Sequence, residues 1–152
     1  MKISIRKGNK KDIPTIIAWN KKMAMETEEK ILNQKISTQG VKNFFNKPSL
    51  GFYLIAEIGK VSAGQLMITY EWSDWRNGLF LWIQSVYVEP KFRNKKVFSH
   101  LYKFIERDAK KRKDVCGIRL YVEKENLRAQ KVYKKMGMNL SHYKMFEVDF
   151  VL

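Results

Sequence analysis

Three groups of residues have the types and spacing to do chemistry. The first is the basic segment Arg93, Asn94, Lys95, Lys96, Val97, Phe98 and Ser99, set between an apolar strand pattern ending at Val88 and a helical pattern starting near Val97. A chain turning from strand into helix there aims unpaired backbone N–H groups and the positive end of a helix dipole at one spot, which suits an anionic pyrophosphate. A plain basic loop at a helix start would carry the same letters. The second group is Asn126, Ala129 and Tyr133, which share one face of a helical pattern that Gly137 closes. Read alone, Tyr133 beside Val132 is a core tyrosine with its hydroxyl at the surface. The third joins the acids Glu26, Glu28 and Glu71 to the aromatic residues Trp72 and Trp75. It describes a place for a positively charged partner, or equally solvated acids and packing aromatics.

The elements that must position these residues follow from periodicity. Ile3 to Arg6 alternate as a strand, and Asp12-Ile13-Pro14 marks a helix start with Asp12 as N-cap, continued by Ile16, Ile17 and Met23. A second helix is predicted from about Thr38 to Asn46, closed by Pro48. Phe52 to Ile58 and Val61 to about Tyr70 form a hairpin about Gly59, and Asn77-Gly78 turns the chain into Leu79 to Val88. That last run is nearly all apolar and β-branched or aromatic, the pattern of a central strand covered on both faces. Val97, Leu101, Phe104, Ile105 and Ala109 lie on one helix face, and Gly117 to Val122 is a strand expected to run parallel to Leu79–Val88. A short helix carries Ala129, Val132 and Met136, and a final strand is predicted from about Tyr143 to Phe150. The fold class is α/β, a mixed, mostly antiparallel central sheet flanked by helices.

That order, with VYVEPKFRNKKVF from Val86 and NLRAQKVYKKMGM from Asn126, resembles the GNAT superfamily of N-acetyltransferases. The ETE segment at Glu26, WSDWRNG and GIRLYVEKEN are similar to a bacterial subgroup. The resemblance implies one domain over residues 1–152, acetyl-CoA as co-substrate, and an amine acceptor of small-molecule or peptide nature. It assigns main-chain contacts with pantetheine to Val86, Tyr87 and Val88, an oxyanion-stabilising N–H to Val86, and the pyrophosphate to the loop from Arg93 to Ser99. The family loop has Gln or Arg, two free positions, Gly, one free position, then Gly or Ala. Arg93 fits, but Lys96 stands at the glycine and Phe98 at the small residue. By the same resemblance Asn126 and Ala129 meet the pantetheine and Tyr133 protonates the departing thiolate. Family members with a Glu base on the central strand have it near Trp82 and Gln84 here, neither of which accepts a proton at neutral pH, so deprotonation through water is expected. Glu71 is then the preferred acid at the acceptor site, with Glu26, Glu28, Trp72, Trp75 and Gln84 around it.

Composition bounds the rest. The 152 residues carry a net charge of +15, yet only 7 of the 30 basic residues are Arg, the side chain suited to bidentate phosphate and base contacts. A Lys-coated surface is therefore expected ahead of nucleic-acid binding, and part of the charge suits the phosphates of coenzyme A. A single cysteine, Cys116, and the isolated His100 and His142 give no metal-ligand cluster. No run has the length of a membrane span, and MKISIRKGNKKD has no apolar core behind its charges, so a cytoplasmic protein is expected. Homodimers are common in the resembled family. Two rivals stand: a degenerate member that binds acyl-CoA without catalysis, supported by Lys96, and a basic nucleic-acid- or ribosome-associated protein, supported by charge alone.

Overall fold

Five strands pair in chain order into one sheet: β1 (Ile3–Lys7), β2 (Gly51–Ile58), β3 (Val61–Ser73), β4 (Gly78–Val88) and β5 (Val115–Arg119). The computed structural model describes Met1–Leu152. The first three pairings are antiparallel and β4 with β5 is parallel, as the strand–helix–strand order predicts. Gly59, at φ 64°, makes the β2–β3 turn, and Asn77, at φ 47°, makes the turn into β4. At Gly51 (φ 147°) an added Cβ would sit 1.8 Å from the Ile68 carbonyl oxygen, so only glycine lets β2 begin against β3.

Helices cover both faces of the sheet. α1 (Ile13–Glu28) and α2 (Gln34–Asn46) share a core with Tyr53, Ile55 and Tyr87, built on Ile16, Trp19, Val41 and Phe44. Because side chains alternate along a strand, Leu54, Leu66 and Ile68 turn to the other face, where α3 (Val97–Lys111) packs on the sheet with Val97, Leu101 and Ile105 buried. α2 starts earlier than periodicity suggests because the Asn33 side chain accepts from Ile36 N–H at 3.0 Å and caps it. β5 likewise spans Val115–Arg119, slightly upstream of its predicted limits.

The chain divides into two compact units, Met1–Tyr121 and Val122–Leu152. The second contains α4 (Leu127–Lys135), which ends in a Schellman motif: Gly137, at φ 90°, donates to Lys134 O at 3.0 Å and Met138 donates to Tyr133 O at 3.1 Å. The strand predicted from Tyr143 to Phe150 does not form. Residues 143–150 join no ladder of the sheet, and the Tyr143 N–H goes to Ser141 Oγ at 2.9 Å. Local side-chain acceptors compete with pairing here, and β-propensity needs a neighbouring strand to act on.

Asp12 stands at the α1 N-cap position but does not cap that helix. Its two oxygens accept from Arg6 Nη1 and Nη2, both at 2.8 Å, and Oδ2 also accepts from Asn9 N–H at 2.8 Å. The Arg6 guanidinium, which also reaches Glu57 at 2.7 Å, holds the Asp12 carboxyl below the ordinary carboxylate range against the opposing push of burial. Asp12→Asn should lower stability by about 1–3 kcal/mol near neutral pH, since Arg6 loses one of its two carboxylate partners. The folded carboxyl titrates below its unfolded value of about 3.9, so its contribution is complete above that value and lost as pH falls through the folded one. Urea unfolding at about pH 7 and about pH 2 checks this: the deficit of the variant should shrink in acid, and an undiminished deficit would assign Asp12 a different role.

Candidate active site

β4 is longer than its parallel neighbour. The β4–β5 ladder holds from Leu79 to Trp82 and stops where β5 ends at Arg119. Past Trp82, no strand of the sheet pairs with that edge of β4. In the same stretch the other edge is irregular. Gln65 faces Tyr87 and Met67 faces Gln84, so Leu66 alone opposes both Ser85 and Val86, and Ser85 takes φ 50°. This bulge bends the strand where its outer edge is free. An edge without a strand partner suits an extended ligand that adds as a further strand, which fits the pantetheine arm.

The loop beyond β4 supplies the second part. Asn94 (φ 63°) and Lys96 (φ 62°) both adopt the left-handed conformation, and Lys96 is the N-cap residue of α3 without capping it by its side chain. The first-turn amides of a helix have no intrahelical acceptors, so this helix start fits a phosphate group. The family glycine position thus keeps a glycine-like backbone with lysine in it, the side chain exposed. The Lys96 carbonyl accepts from His100 N–H at 3.1 Å, and His100 Nδ1 lies 2.9 Å from the same oxygen. Phe98 is half-buried with its ring 6.3 Å from that of Tyr102.

Arg93 does not offer its charge to this cradle. Its Nε donates to Val88 O at 2.9 Å, its Nη2 donates to Glu26 Oε2 at 2.7 Å, and its guanidinium lies 5.6 Å from the Tyr87 ring centre. The arginine therefore ties the loop to the end of β4 and to α1. Beside it, Trp19 Nε1 donates to Glu89 Oε1 at 2.6 Å and Lys22 Nζ reaches the same oxygen at 3.2 Å. Burial alone would raise the Glu89 carboxyl, but these two donors outweigh it and hold the carboxyl below its ordinary value. The Tyr87 phenol is pushed up by burial and by the charges of Glu26 and Glu89.

The expected acceptor acids are not gathered together. Glu26 pairs with Arg93, Glu28 approaches only Lys30, at 3.9 Å, and Glu71 pairs with Arg119 at 2.7 Å. Glu71 lies within β3 rather than at its end, because the strand runs to Ser73. It faces Phe80, whose ring centre is 3.6 Å from the Arg119 guanidinium, and that register places it roughly 20 Å along the strand from Val86. Trp72 and Trp75 are exposed, Gln84 donates to Thr69 Oγ1 at 2.6 Å, and Trp82 rests against Tyr121.

In the second unit, Asn126 accepts from Ala129 N–H at 3.2 Å through Oδ1, so the amide caps α4 and keeps its Nδ2 as a donor. Tyr133 is half-buried, and burial raises its phenol above the ordinary value. Such a phenol is protonated at neutral pH and has a proton to give.

The family model described as acetyltransferase (GNAT) family matches residues 16–138. The chain belongs to that family. A crystal structure of a possible acetyltransferase from Clostridium difficile 630 is 40% identical, with all of both chains covered and a TM-score of 0.91. A predicted acetyltransferase from Clostridium acetobutylicum, solved with acetyl-CoA, is 21% identical over 97% of this chain and 96% of its own, with a TM-score of 0.77. AAC(6')-Iy, solved with a bisubstrate analogue, shares the fold at 15% identity, a TM-score of 0.77 and coverage of 98% and 99%. No curated protein sequence matches the chain. The GNAT family uses acetyl-CoA, and no group of His, Cys, Asp and Glu in this chain is placed to hold a metal ion. No helix is long and apolar enough to cross a membrane.

Sequence reasoning passed over two residues beside the bulged end of β4. Gln65 is fully buried beneath the bulge, and Glu89 ties the end of β4 to α1. An amide inside the apolar run from Ala63 to Leu66 was the available signal for the first, since a polar group in such a run must be hydrogen-bonded to be tolerated. The left-handed backbone of Lys96 is testable by itself. Lys96→Gly should raise stability by about 1 kcal/mol, the strain relieved less the entropy glycine adds to the unfolded chain. Lys96→Ala, which keeps the strain, should not. Equal denaturation midpoints for the two variants would remove strain from this position.

Proposed function

We propose that this GNAT protein transfers the acetyl group of acetyl-CoA to the primary amine of a small-molecule or peptide acceptor by direct attack, with residues 1–152 acting as one domain. The observation that carries the reading is the bulged, unpaired end of β4 followed by the left-handed loop at the start of α3. The family match, which runs through residues 16–138, supports the single domain. Acetyl-CoA supplies a thioester carbonyl that a neutral amine can attack. Val86, Tyr87 and Val88 hold the pantetheine through main-chain groups, and residues 93–99 hold the pyrophosphate through amides and the Lys96 ammonium. The Val86 N–H donates to the thioester oxygen as negative charge develops on it. The new C–N bond forms as the C–S bond breaks, Tyr133 gives its proton to the sulfur, and the amine loses its proton to water.

The acceptor surface takes its character from paired acids. Glu26 and Glu71 are each bound to an arginine, so neither offers the uncompensated charge that would concentrate a cationic amine. Trp82 and Gln84 share one sheet face by alternation and form the floor we assign to the acceptor, which the distance of Glu71 from Val86 leaves without that acid.

Calorimetric titration with acetyl-CoA and coenzyme A tests the first part, and a screen of amine acceptors with detection of free thiol tests the second. Binding without thiol release from any amine would leave a member that holds acyl-CoA without catalysis. Tyr133→Phe should keep acetyl-CoA affinity within about twofold and lower turnover on the order of a hundredfold, since the ring stays and only the phenolic proton goes. Unchanged turnover in a chemistry-limited assay would remove Tyr133 from the mechanism. Lys96→Gly should weaken coenzyme A binding and flatten its salt dependence, because one charge facing the phosphates is lost. Tighter binding would mean that the side chain obstructs the cradle.

A further inference from the structure

We propose that Gln65 is a positioning residue, whose side chain sets the direction of the Val86 amide. Gln65 lies on β3 opposite Ile55 and Tyr87 and is 0% exposed. Its Nε2 donates to the Ser85 carbonyl at 3.1 Å and to Asn20 Oδ1 at 2.8 Å. A backbone carbonyl can only accept, so the nitrogen of the Gln65 amide must be the atom facing Ser85, whichever way the distal amides are drawn. The other atom, Oε1, is buried without a hydrogen-bond partner. An amide that forgoes a bond on its acceptor side is held by its donor side, and that side grips the bulge.

The consequence follows from peptide geometry. In a planar trans peptide, the carbonyl of one residue and the N–H of the next point in opposite directions. With the Ser85 oxygen drawn toward Gln65, the Val86 N–H points away from Gln65 and β3. Ser85 reaches this arrangement only by taking φ 50°, a conformation that a non-glycine residue adopts when its surroundings impose it. The grip continues through Asn20 on α1, whose Oδ1 is the second acceptor of the Gln65 amide. A residue on each of α1 and β3 thus fixes one peptide of β4.

This inference rests on the acetyl-CoA reading for its use, so the test separates the two. The three-bond HN–Hα coupling of Ser85 reports its φ without ligand, and titration calorimetry gives the affinities for acetyl-CoA and coenzyme A, which differ by the acetyl carbonyl. In Gln65→Leu and Gln65→Met, Ser85 should leave the left-handed region and the preference for acetyl-CoA over coenzyme A should fall about fivefold, with coenzyme A affinity within twofold of wild type. Ser85 staying left-handed, or an unchanged preference, would overturn the proposal. If wild-type protein binds neither ligand, the acetyl-CoA reading fails while the Ser85 coupling still decides what Gln65 does. Should neither variant fold, hydrogen exchange in wild-type protein decides it. The Val86 amide should exchange much faster than the ladder amides of β4, and ladder-like protection of Val86 would overturn the proposal.

Discussion

The site depends on one mismatch in strand length. β4 continues to Val88 while its parallel neighbour stops pairing at Trp82. Backbone N–H and C=O groups are obligatory hydrogen-bonding groups, so an edge left unpaired inside a sheet is a standing demand for a partner. Here the demand coincides with a bulge on the β3 side, so that the strand is loosened on both edges over the same few residues. Any extended ligand with amides of its own would satisfy it. The short β5 is what leaves that edge without a strand partner.

Charge around the site is organised by neutralisation. The chain has twice as many basic as acidic residues, 30 against 15, yet the acids near the end of β4 are all committed: Glu26 to Arg93, Glu89 to Trp19 and Lys22. Exposed pairs of this kind add little stability, typically below about 1 kcal/mol each. Their value is positional, since they fasten α1 to the strand end and loop that the cofactor reading needs. What stays uncompensated is the lysine-rich loop itself, which is the sign that polyphosphate binding requires.

Much of this architecture was legible in the sequence, because it is written in periodicity and turn chemistry. Val97, Leu101, Ile105 and Ala109 announced α3, Asn77-Gly78 announced the turn into β4, and Gly137 announced the end of α4. The motif residues from Arg93 and from Asn126 pointed to the family before any geometry did. What could not be read were matters of pairing between distant residues. Nothing local tells that Glu71 finds Arg119, that Arg93 turns to Glu26, or that Gln65 reaches Ser85. The same cause explains the strand predicted at Tyr143–Phe150: alternation describes a segment suited to a sheet, and whether a neighbouring edge exists is decided elsewhere.

Lys96 links the backbone of the loop to the genetic code. Its left-handed φ of 62° suits glycine best, so selection for stability alone would move the position toward glycine. Every lysine codon differs from every glycine codon at both of its first two bases. The direct mutational route therefore passes through arginine, which keeps the charge and the strain, or through glutamate, which reverses the charge and keeps the strain. Neither intermediate relieves the backbone, and one of them puts an acid into a lysine-rich loop. A lysine once established at this loop position is thus held there by the shape of the code as well as by its charge.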